Sequence, residues 1–372
     1  MASLELRNVW KMYGDVIACQ DVSWKCENGE FFSILGPSGC GKSSTMRMIA
    51  GLEEISKGDI FFGDKRVNKL PPRDRNIALV FENWALYPNM TVYDNIAFPL
   101  WVRNMSKDDI ENKVQWAAKF LNLSDALYKN VKGLSGGQQQ RVSIGRAIVR
   151  EPEVLLMDEP ISHLDASLRL RMREELEKMV RKLGITTIYV THDQVESMAM
   201  ADRIAIMDKG IIQQIATPRE IYYHPYNLFV AEFIGEPPIN TTDCELVSEI
   251  GHLRLTSASF DIKFGQDDVN KLSDYTGPSR VKIGIRPENI NVVSSSGPNS
   301  INALVTFVEA QGERNILSLK LEGRDVFLVV VPSKVKPKIN STIQIEFDTR
   351  YLHIFEGESG INISYQLPAD NQ

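Results

Sequence analysis

"FFSILGPSGCGKSSTMRMIAGL", residues 31–52, is the stretch that decides the fold. It opens with "FFSIL", an apolar run suited to a strand buried in a parallel sheet. It closes with an apolar helical segment, "STMRMIAGL". Between the two, Gly36 to Ser43 reads "GPSGCGKS" and fits the pattern G-x-x-x-x-G-K-[ST]. The pattern alone occurs by chance, so the strand before it and the helix after it matter. That context is what phosphate chemistry requires. Glycines let successive N–H groups wrap an anion, the helix N-terminus adds partial positive charge, and Lys42 can neutralise β- and γ-phosphates. The Ser43 hydroxyl is placed to ligate Mg²⁺. A glycine turn with a purely structural role has no use for the Lys42–Ser43 pair.

The segments around this loop follow a strand–helix–strand order. "VLLMD" at 154–158 and "ITTIYV" at 185–190 read as two more buried strands, with a long amphipathic helix over Ala166–Leu183 between them. A further helix is expected from Lys107 to Leu121, where Ile110, Val114, Ala117 and Leu121 share one face. "LELRNVW" and "DVSWKC" alternate like strands about a turn. The order argues for right-handed crossovers and a parallel sheet.

"VLLMDEP" sets Asp158 and Glu159 at the C-terminal end of a buried strand, where open α/β sheets bind ligands. Adjacent acids leaving an apolar strand are costly without a cation or a proton-transfer role. Asp158 suits a Mg²⁺ shell, and Glu159 suits polarisation of an attacking water. A cap or turn acid is the plain alternative for either alone. "YVTHDQ" puts His192 at another strand end, where a contact to a γ-phosphate is expected, although a lone histidine is more often structural.

Composition adds bounds. The chain has 372 residues, 43% apolar and 24% charged, with a net charge of −6; an acidic balance gives no reason to expect a nucleic-acid partner. Cys19, Cys26, Cys40 and Cys244 lack metal or disulfide spacing, so reduced thiols in the cytosol are expected. No signal peptide is evident at "MASLELRNVW", and no apolar run approaches the roughly 20 residues of a spanning helix. A soluble chain is expected. After "GEPPINTTD", 235–243, the sequence turns to short alternating strands, among them "RVKIGI", "VFLVVV" and "TIQIEF". One or two small OB-type barrels, or an ordinary β-sandwich, are the readings of this part.

"GLSGGQQQR", 133–141, raises a separate question: it offers a hydroxyl and bare N–H groups at a helix start, a second anion cradle without a lysine. Taken with the phosphate loop, "VLLMDEP", "HLDA" and "VTHD", in that order, the chain closely resembles the ATP-binding-cassette (ABC) ATPases. "VFENWALYPNMTVYDNIAFPL", "RPENI" and the β-rich tail narrow the likeness to ATPase subunits of importers for oligosaccharides and related solutes, of the maltose/trehalose type.

The resemblance implies an α/β fold. A P-loop NTPase domain of ABC type would occupy 1–235, with a helical subdomain at about 83–150. An all-β, OB-like (TOBE-type) regulatory and dimerisation domain would occupy 236–372. It implies ATP and Mg²⁺ as cofactors and a head-to-tail dimer in which "LSGGQ" completes the site of a second copy, which answers the question above. Further partners would be a membrane permease, an extracytoplasmic solute-binding protein acting indirectly, and a cytoplasmic regulator on the tail. The location would be the cytoplasmic face of the cell membrane.

Carried onto this sequence, Tyr13 would stack on adenine with Val16 beside it. Gly36, Pro37, Ser38, Gly39, Cys40, Gly41, Lys42, Ser43 and Ser44 would wrap the phosphates. Ser135, Gly136, Gly137 and Gln138 would face the partner copy's nucleotide, and Asp165 would sit at the interface. Catalysis would rest on Glu159, His192 and Lys42, and metal binding on Ser43, Glu82 and Asp158. Trp84, Ala85 and Tyr87 would meet the permease. Three positions depart from the family pattern: Glu82 stands where glutamine is usual, His163 where asparagine is usual before "LDA", and Ser44 for threonine. Glu82 is expected to ligate the metal directly and to slow closure or make it pH-sensitive. Importers of glycerol phosphate, polyamines, sulfate or iron, and a mainly regulatory binding role for the tail, are the alternatives. A cassette ATPase acting on DNA or ribosomes would need a coiled-coil insertion or a second cassette, and the sequence has neither.

Overall fold

Strand Phe31–Leu35 is buried at all five positions and lies inside the main sheet of the computed structural model. The structure describes residues 2–249, 252–264, 275, 277–294, 297, 299–322 and 326–364, in two units divided between Pro218 and Arg219. In the first unit, β1 (Leu4–Tyr13) and β2 (Val16–Cys26) form a hairpin, and β3 (Phe31–Leu35) leads through the phosphate loop into α1 (Lys42–Ala50). Then come β4 (Lys57–Phe62), β5 (Lys65–Arg66) and β6 (Ile77–Val80), followed by α2 (Val92–Val102), α3 (Lys107–Phe120) and α4 (Gly136–Ile148). The unit finishes with β7 (Val154–Asp158), α5 (Ala166–Leu183), β8 (Thr186–Thr191), α6 (Gln194–Met200), β9 (Arg203–Asp208) and β10 (Ile211–Ala216).

The main sheet runs β10-β9-β3-β8-β7-β6, parallel except for β10. Its register places Leu35 opposite Thr191 and Asp158 opposite Val190. The residues that follow β3, β7 and β8 therefore leave one edge of the sheet at one level. A smaller antiparallel sheet, β2-β1-β4-β5, shares an apolar core with it. Trp24 stacks on Phe32 with ring centroids 4.7 Å apart, and Met46, Met48 and Ile49 of α1 pack into the same core.

Local chemistry sets the helix ends. Thr91 and Asp94 form a reciprocal capping box on α2, Ser106 caps α3, and Gly184 ends α5 in the left-handed region that glycine adopts at little cost. Helix α3 stops at Phe120, and Leu121 serves as its C-cap with a buried side chain. Helix α5 spans the expected Ala166–Leu183 and buries only the stripe Met172, Leu176 and Val180. The buried Arg75 guanidinium donates to Met48 O at 2.7 Å and Ile49 O at 2.8 Å, which satisfies the C-terminal carbonyls of α1.

The second unit carries α7 (Pro218–Tyr223) and α8 (Leu228–Phe233), then β11 (Asn240–Glu249), β12 (His252–Thr256), β13 (Asp261–Lys263) and β14 (Arg280–Ile285). Beyond these lie β15 (Ile290–Val293), β16 (Ser300–Ala310), β17 (Arg314–Leu321), β18 (Val326–Pro332), β19 (Thr342–Phe347) and β20 (His353–Glu356). They form two five-stranded antiparallel sheets, β13-β12-β11-β14-β20 and β15-β19-β16-β17-β18. Both sheets feed one apolar core, in which Phe327 stacks on Phe347 at 5.4 Å.

Arg286 joins the short helices to the β-rich part of this unit. Its side chain is almost wholly buried and donates to Tyr222 O at 2.7 Å and Ile234 O at 2.6 Å. The guanidinium lies 3.7 Å from the Tyr222 ring centroid, and the Tyr222 hydroxyl donates to Glu288. Buried charge is tolerated here because carbonyl dipoles and a ring face surround it. Arg286→Met leaves both carbonyls without their donor, and the expected loss is about 3 kcal/mol. Urea unfolding checks this: the transition midpoint of the variant should fall clearly below that of the parent.

Candidate functional site

The phosphate loop is built around a buried lysine. Lys42 is only 6% exposed, and its ammonium donates to Gly36 O at 2.8 Å and Pro37 O at 2.9 Å. Ser38, Gly39 and Ser43 form the exposed rim above it. Gly36 and Gly41 are required by packing. A Cβ on Gly36 would lie 2.1 Å from Met207 O, and one on Gly41 2.5 Å from Ala18 O. Gly41 also adopts φ 108° as the N-cap of α1, where an L side chain is strained. Cys40 turns its thiol inward, 3.8 Å from the Lys42 ammonium, and burial raises its pKa despite that charge. Only the backbone of Cys40 is left to face an anion. Thr45 anchors the loop from below, its hydroxyl donating to Gly41 O at 3.0 Å.

At the neighbouring strand ends, two carboxylates act on a third. Asp158 ends β7, and its pKa is raised to about 6, first by burial and then by Glu159 and Glu82, against the opposing pull of Arg47 and Lys42. Concentrated negative charge of this kind favours protonation or a cation. Glu159 has φ 44°, a conformation that costs a non-glycine residue about 1–3 kcal/mol. Its N–H donates to Val190 O at 2.9 Å, and its carboxylate lies 2.8 Å from His192 Nδ1. With Nδ1 engaged, the Nε2 edge of His192 is the one left for another contact. The sheet register thus brings the loop, the acid pair and His192 to one edge.

Glu82, just beyond β6, stands 3.5 Å from His163 Nε2 and 3.5 Å from Ser162 Oγ. Two of the three departures from the family pattern face each other, which no feature of the sequence between them announces. Sequence reasoning also missed Glu53, which accepts from the Tyr13 hydroxyl, and Arg47, which pairs with Glu53 at 3.3 Å. The Tyr13 ring itself is about half exposed beside the exposed Val16, with the Lys11 ammonium 4.7 Å from its centroid. Ser44 Oγ lies 3.4 Å from the Tyr13 hydroxyl.

Ser135 caps α4, accepting from Gln138 N at 3.4 Å, while the Gln138 side chain returns to Ser135 N at 3.1 Å. Gly136 and Gly137 start this helix, close against other side chains. A Cβ on Gly136 would be 3.1 Å from Leu164, and one on Gly137 3.2 Å from Met172 Sδ. Ser135 is exposed, as is Asp165, whose carboxylate caps α5 through Leu168 N at 2.9 Å. Among the described residues, neither is hydrogen-bonded to the phosphate loop.

A groove of about 700 Å³ opens beyond β6, lined by the apolar Leu52, Phe81, Phe98 and Val102 and by Arg73, Arg103, Arg146 and Arg150. Ala85 and Tyr87 line it. Trp84 does not: its ring packs against Ile161, Leu164 and Met172, and its indole N–H donates to Pro160 O at 3.1 Å. Trp84 is thus partly buried and lies outside the lining of the groove. An indole has an apolar body and one donor, and here the interior satisfies both. Among the described residues no helix is long and apolar enough to cross a membrane.

The chain is similar to known proteins along most of its length. Residues 19–162 match the ABC transporter family and residues 283–355 the TOBE domain. The chain is 46% identical to the trehalose/maltose import ATP-binding protein MalK of Thermococcus litoralis, over 97% of this chain and 99% of that protein. It is 44% identical to the oligosaccharides import ATP-binding protein MsmX of Bacillus subtilis, over 98% of this chain and all of that protein. The sn-glycerol-3-phosphate import ATP-binding protein UgpC of Ruegeria pomeroyi is 42% identical over 98% of this chain and 100% of its own length. Among solved structures, cbiO1 from Clostridium perfringens, part of the ABC transporter complex cbiONQ, superposes with a TM-score of 0.55 at 28% identity. It covers 59% of this chain and 89% of its own.

Gly41→Ala forces a Cβ against Ala18 O in a backbone region that disfavours it. The variant is expected to lose ATP binding by on the order of 10-fold or more, since misplaced loop donors cannot converge on phosphate. Titration with a fluorescent ATP analogue measures it.

Proposed function

This chain belongs to the ABC transporter family as an ATP-binding ATPase subunit, and from that membership we propose that it drives import of a sugar or oligosaccharide. The motor lies within residues 1–235, with a helical subdomain at about 83–150, and the β-rich part within residues 236–372 is an OB-like part that regulates it and steadies the dimer. Two copies meet head to tail. Ser135, Gly136, Gly137 and Gln138 of one copy complete the ATP site of the other, and Asp165 lies at their interface. The observation that carries this reading is the Glu159–His192 contact of 2.8 Å at the sheet edge that also bears the lysine-centred loop. It sets a water-polarising base beside the group that meets the γ-phosphate.

Within that site, Tyr13 stacks on adenine beside Val16. The N–H groups of Ser38 to Ser44 wrap the phosphates, and Lys42 neutralises the β- and γ-oxygens. Among the described residues no cage of three or more His, Cys, Asp or Glu stands ready for a metal. Mg²⁺ needs none, because one or two protein oxygens plus phosphates complete its octahedron. The donors present are oxygens alone, and the raised pKa of Asp158 is what a cation beside it relieves. Ser43 and Asp158, with Glu82, are the residues that would hold Mg²⁺, which supplies charge neutralisation at the transferring phosphoryl group. Glu159 orients and polarises water, and His192 stabilises the γ-phosphate as charge develops.

The arginine-lined groove receives a short cytoplasmic helix of a separate membrane permease. Its mixed apolar and arginine lining suits an amphipathic segment carrying acidic side chains. On this reading the chain sits peripherally on the cytoplasmic face of the membrane, fed indirectly by an extracytoplasmic solute-binding protein. The named solutes of the relatives, maltose and trehalose among them, support a carbohydrate cargo; glycerol phosphate is the second reading, favoured by the UgpC likeness.

Glu159→Gln should retain ATP binding while turnover falls on the order of 10²-fold or more. A phosphate-release assay beside an ATP-binding titration tests this, and substantial residual hydrolysis would move the base elsewhere. Glu82→Gln removes one of the charges that raise Asp158. A lost negative neighbour favours the ionised acid, so the Asp158 pKa moves down and Mg²⁺-dependent turnover rises most on the acid side of neutrality. An ATPase pH profile identical to that of the parent would reject a metal-site role for Glu82.

A further inference from the structure

The segment after Glu82 holds two consecutive non-glycine residues in the left-handed region, Trp84 at φ 57° and Ala85 at φ 44°. Helix α4 grips both of their carbonyls. Trp84 O accepts from Ser143 Oγ at 3.0 Å and from Arg146 Nη2 at 2.8 Å, and Ala85 O accepts from Arg146 Nη1 at 2.7 Å. Such conformations persist when surrounding contacts over-determine them. A two-pronged guanidinium with fixed geometry is well suited to that task.

The Trp84 side chain then reaches the acid turn. Glu159, itself left-handed, has its N–H on Val190 O at 2.9 Å and its carbonyl on Ser162 N at 3.2 Å and Ser162 Oγ at 2.9 Å. Both ends of this short turn are therefore held. Pro160 in its middle has no N–H, so its carbonyl is its one backbone handle. Trp84 Nε1 takes that handle at 3.1 Å. The ring is kept in place by Ile161, Leu164 and Met172, and by the start of α4, where a Cβ added to Gly136 would lie 3.4 Å from it.

We propose that Trp84 is a positioning residue for Glu159: its indole N–H, through Pro160 O, holds the left-handed turn that aims the Glu159 carboxylate. The inference rests on Glu159 being the water-polarising base. Its consequence is that one side chain ties three parts of the motor together. Helix α4, which begins with Ser135 and Gly136, fixes the backbone of Trp84. Ala85 and Tyr87, immediately downstream, line the arginine-lined groove. A displacement at either place reaches the Glu159 turn through the indole. A phenyl ring in its place fills the same apolar pocket but donates nothing.

The test uses the full chain carrying Trp84→Phe, with Glu159→Gln assayed alongside. Trp84→Phe should lower kcat by about tenfold, leave the KM for ATP within about threefold, and keep the melting temperature of the parent. The ¹³Cε1 resonance of His192, assigned by its loss in His192→Gln, should shift in Trp84→Phe because the carboxylate against Nδ1 has moved. A purely structural indole would move neither the kcat–KM split nor that resonance. Parental kcat and an unmoved resonance, with Glu159→Gln inactive, overturn the proposal alone; hydrolysis surviving in Glu159→Gln overturns the reading beneath it. Should Trp84→Phe fail to fold, Arg146→Lys, which removes the two-pronged grip on Trp84 O and Ala85 O, is judged by the same split, and a parental kcat there overturns the proposal equally.

Discussion

Parallel pairing of β3, β8 and β7 in a single register is the constraint on which the rest depends. With Leu35 opposite Thr191 and Asp158 opposite Val190, three chain segments emerge together at one sheet edge. A parallel ladder demands crossovers, and the crossovers place helices whose N-termini and caps lie at that same edge. Lys42, Glu159 and His192 are far apart in sequence, and the hydrogen-bond register alone makes them neighbours. A slip of one residue in any of these strands would reverse the face of every side chain along it.

The site so assembled is electrostatically unbalanced by design. Asp158, Glu159 and Glu82 crowd their charges, and burial adds to the cost. The lysine in the loop is satisfied by carbonyls at 2.8 and 2.9 Å and not by a carboxylate. Separating the cation from the acids keeps both available to a charged ligand. Had Lys42 formed a direct ion pair with Asp158, binding would first have to break it.

Left-handed backbone also occurs in the same neighbourhood. Trp84, Ala85 and Glu159 are all left-handed without being glycine, and each is pinned by named hydrogen bonds from α4, β8 or the turn itself. The second unit follows a different plan. Its two antiparallel sheets share one apolar core, and its short helices are held by the buried charge of Arg286. Rigid strands carry one unit, and a buried cation fastens the other.

The sequence alone determined what depends on local chemistry. The glycines of residues 36–41, the capping boxes at Thr91 and Ser135, the α5 stripe and the apolar strands before Asp158 and His192 each follow from steric or periodic rules that act within a few residues. Family likeness supplied the roles, and with them the expectation that the second anion cradle serves another copy. What only the tertiary structure decided were contacts between segments distant in the chain. Trp84 turned into the interior while Tyr87 turned to the groove, because an aromatic-rich run does not encode the direction of each ring. Glu82 met His163, and the Arg146 grip on Trp84 and Ala85 appeared, because a side chain's partner is chosen by packing after the strands have paired.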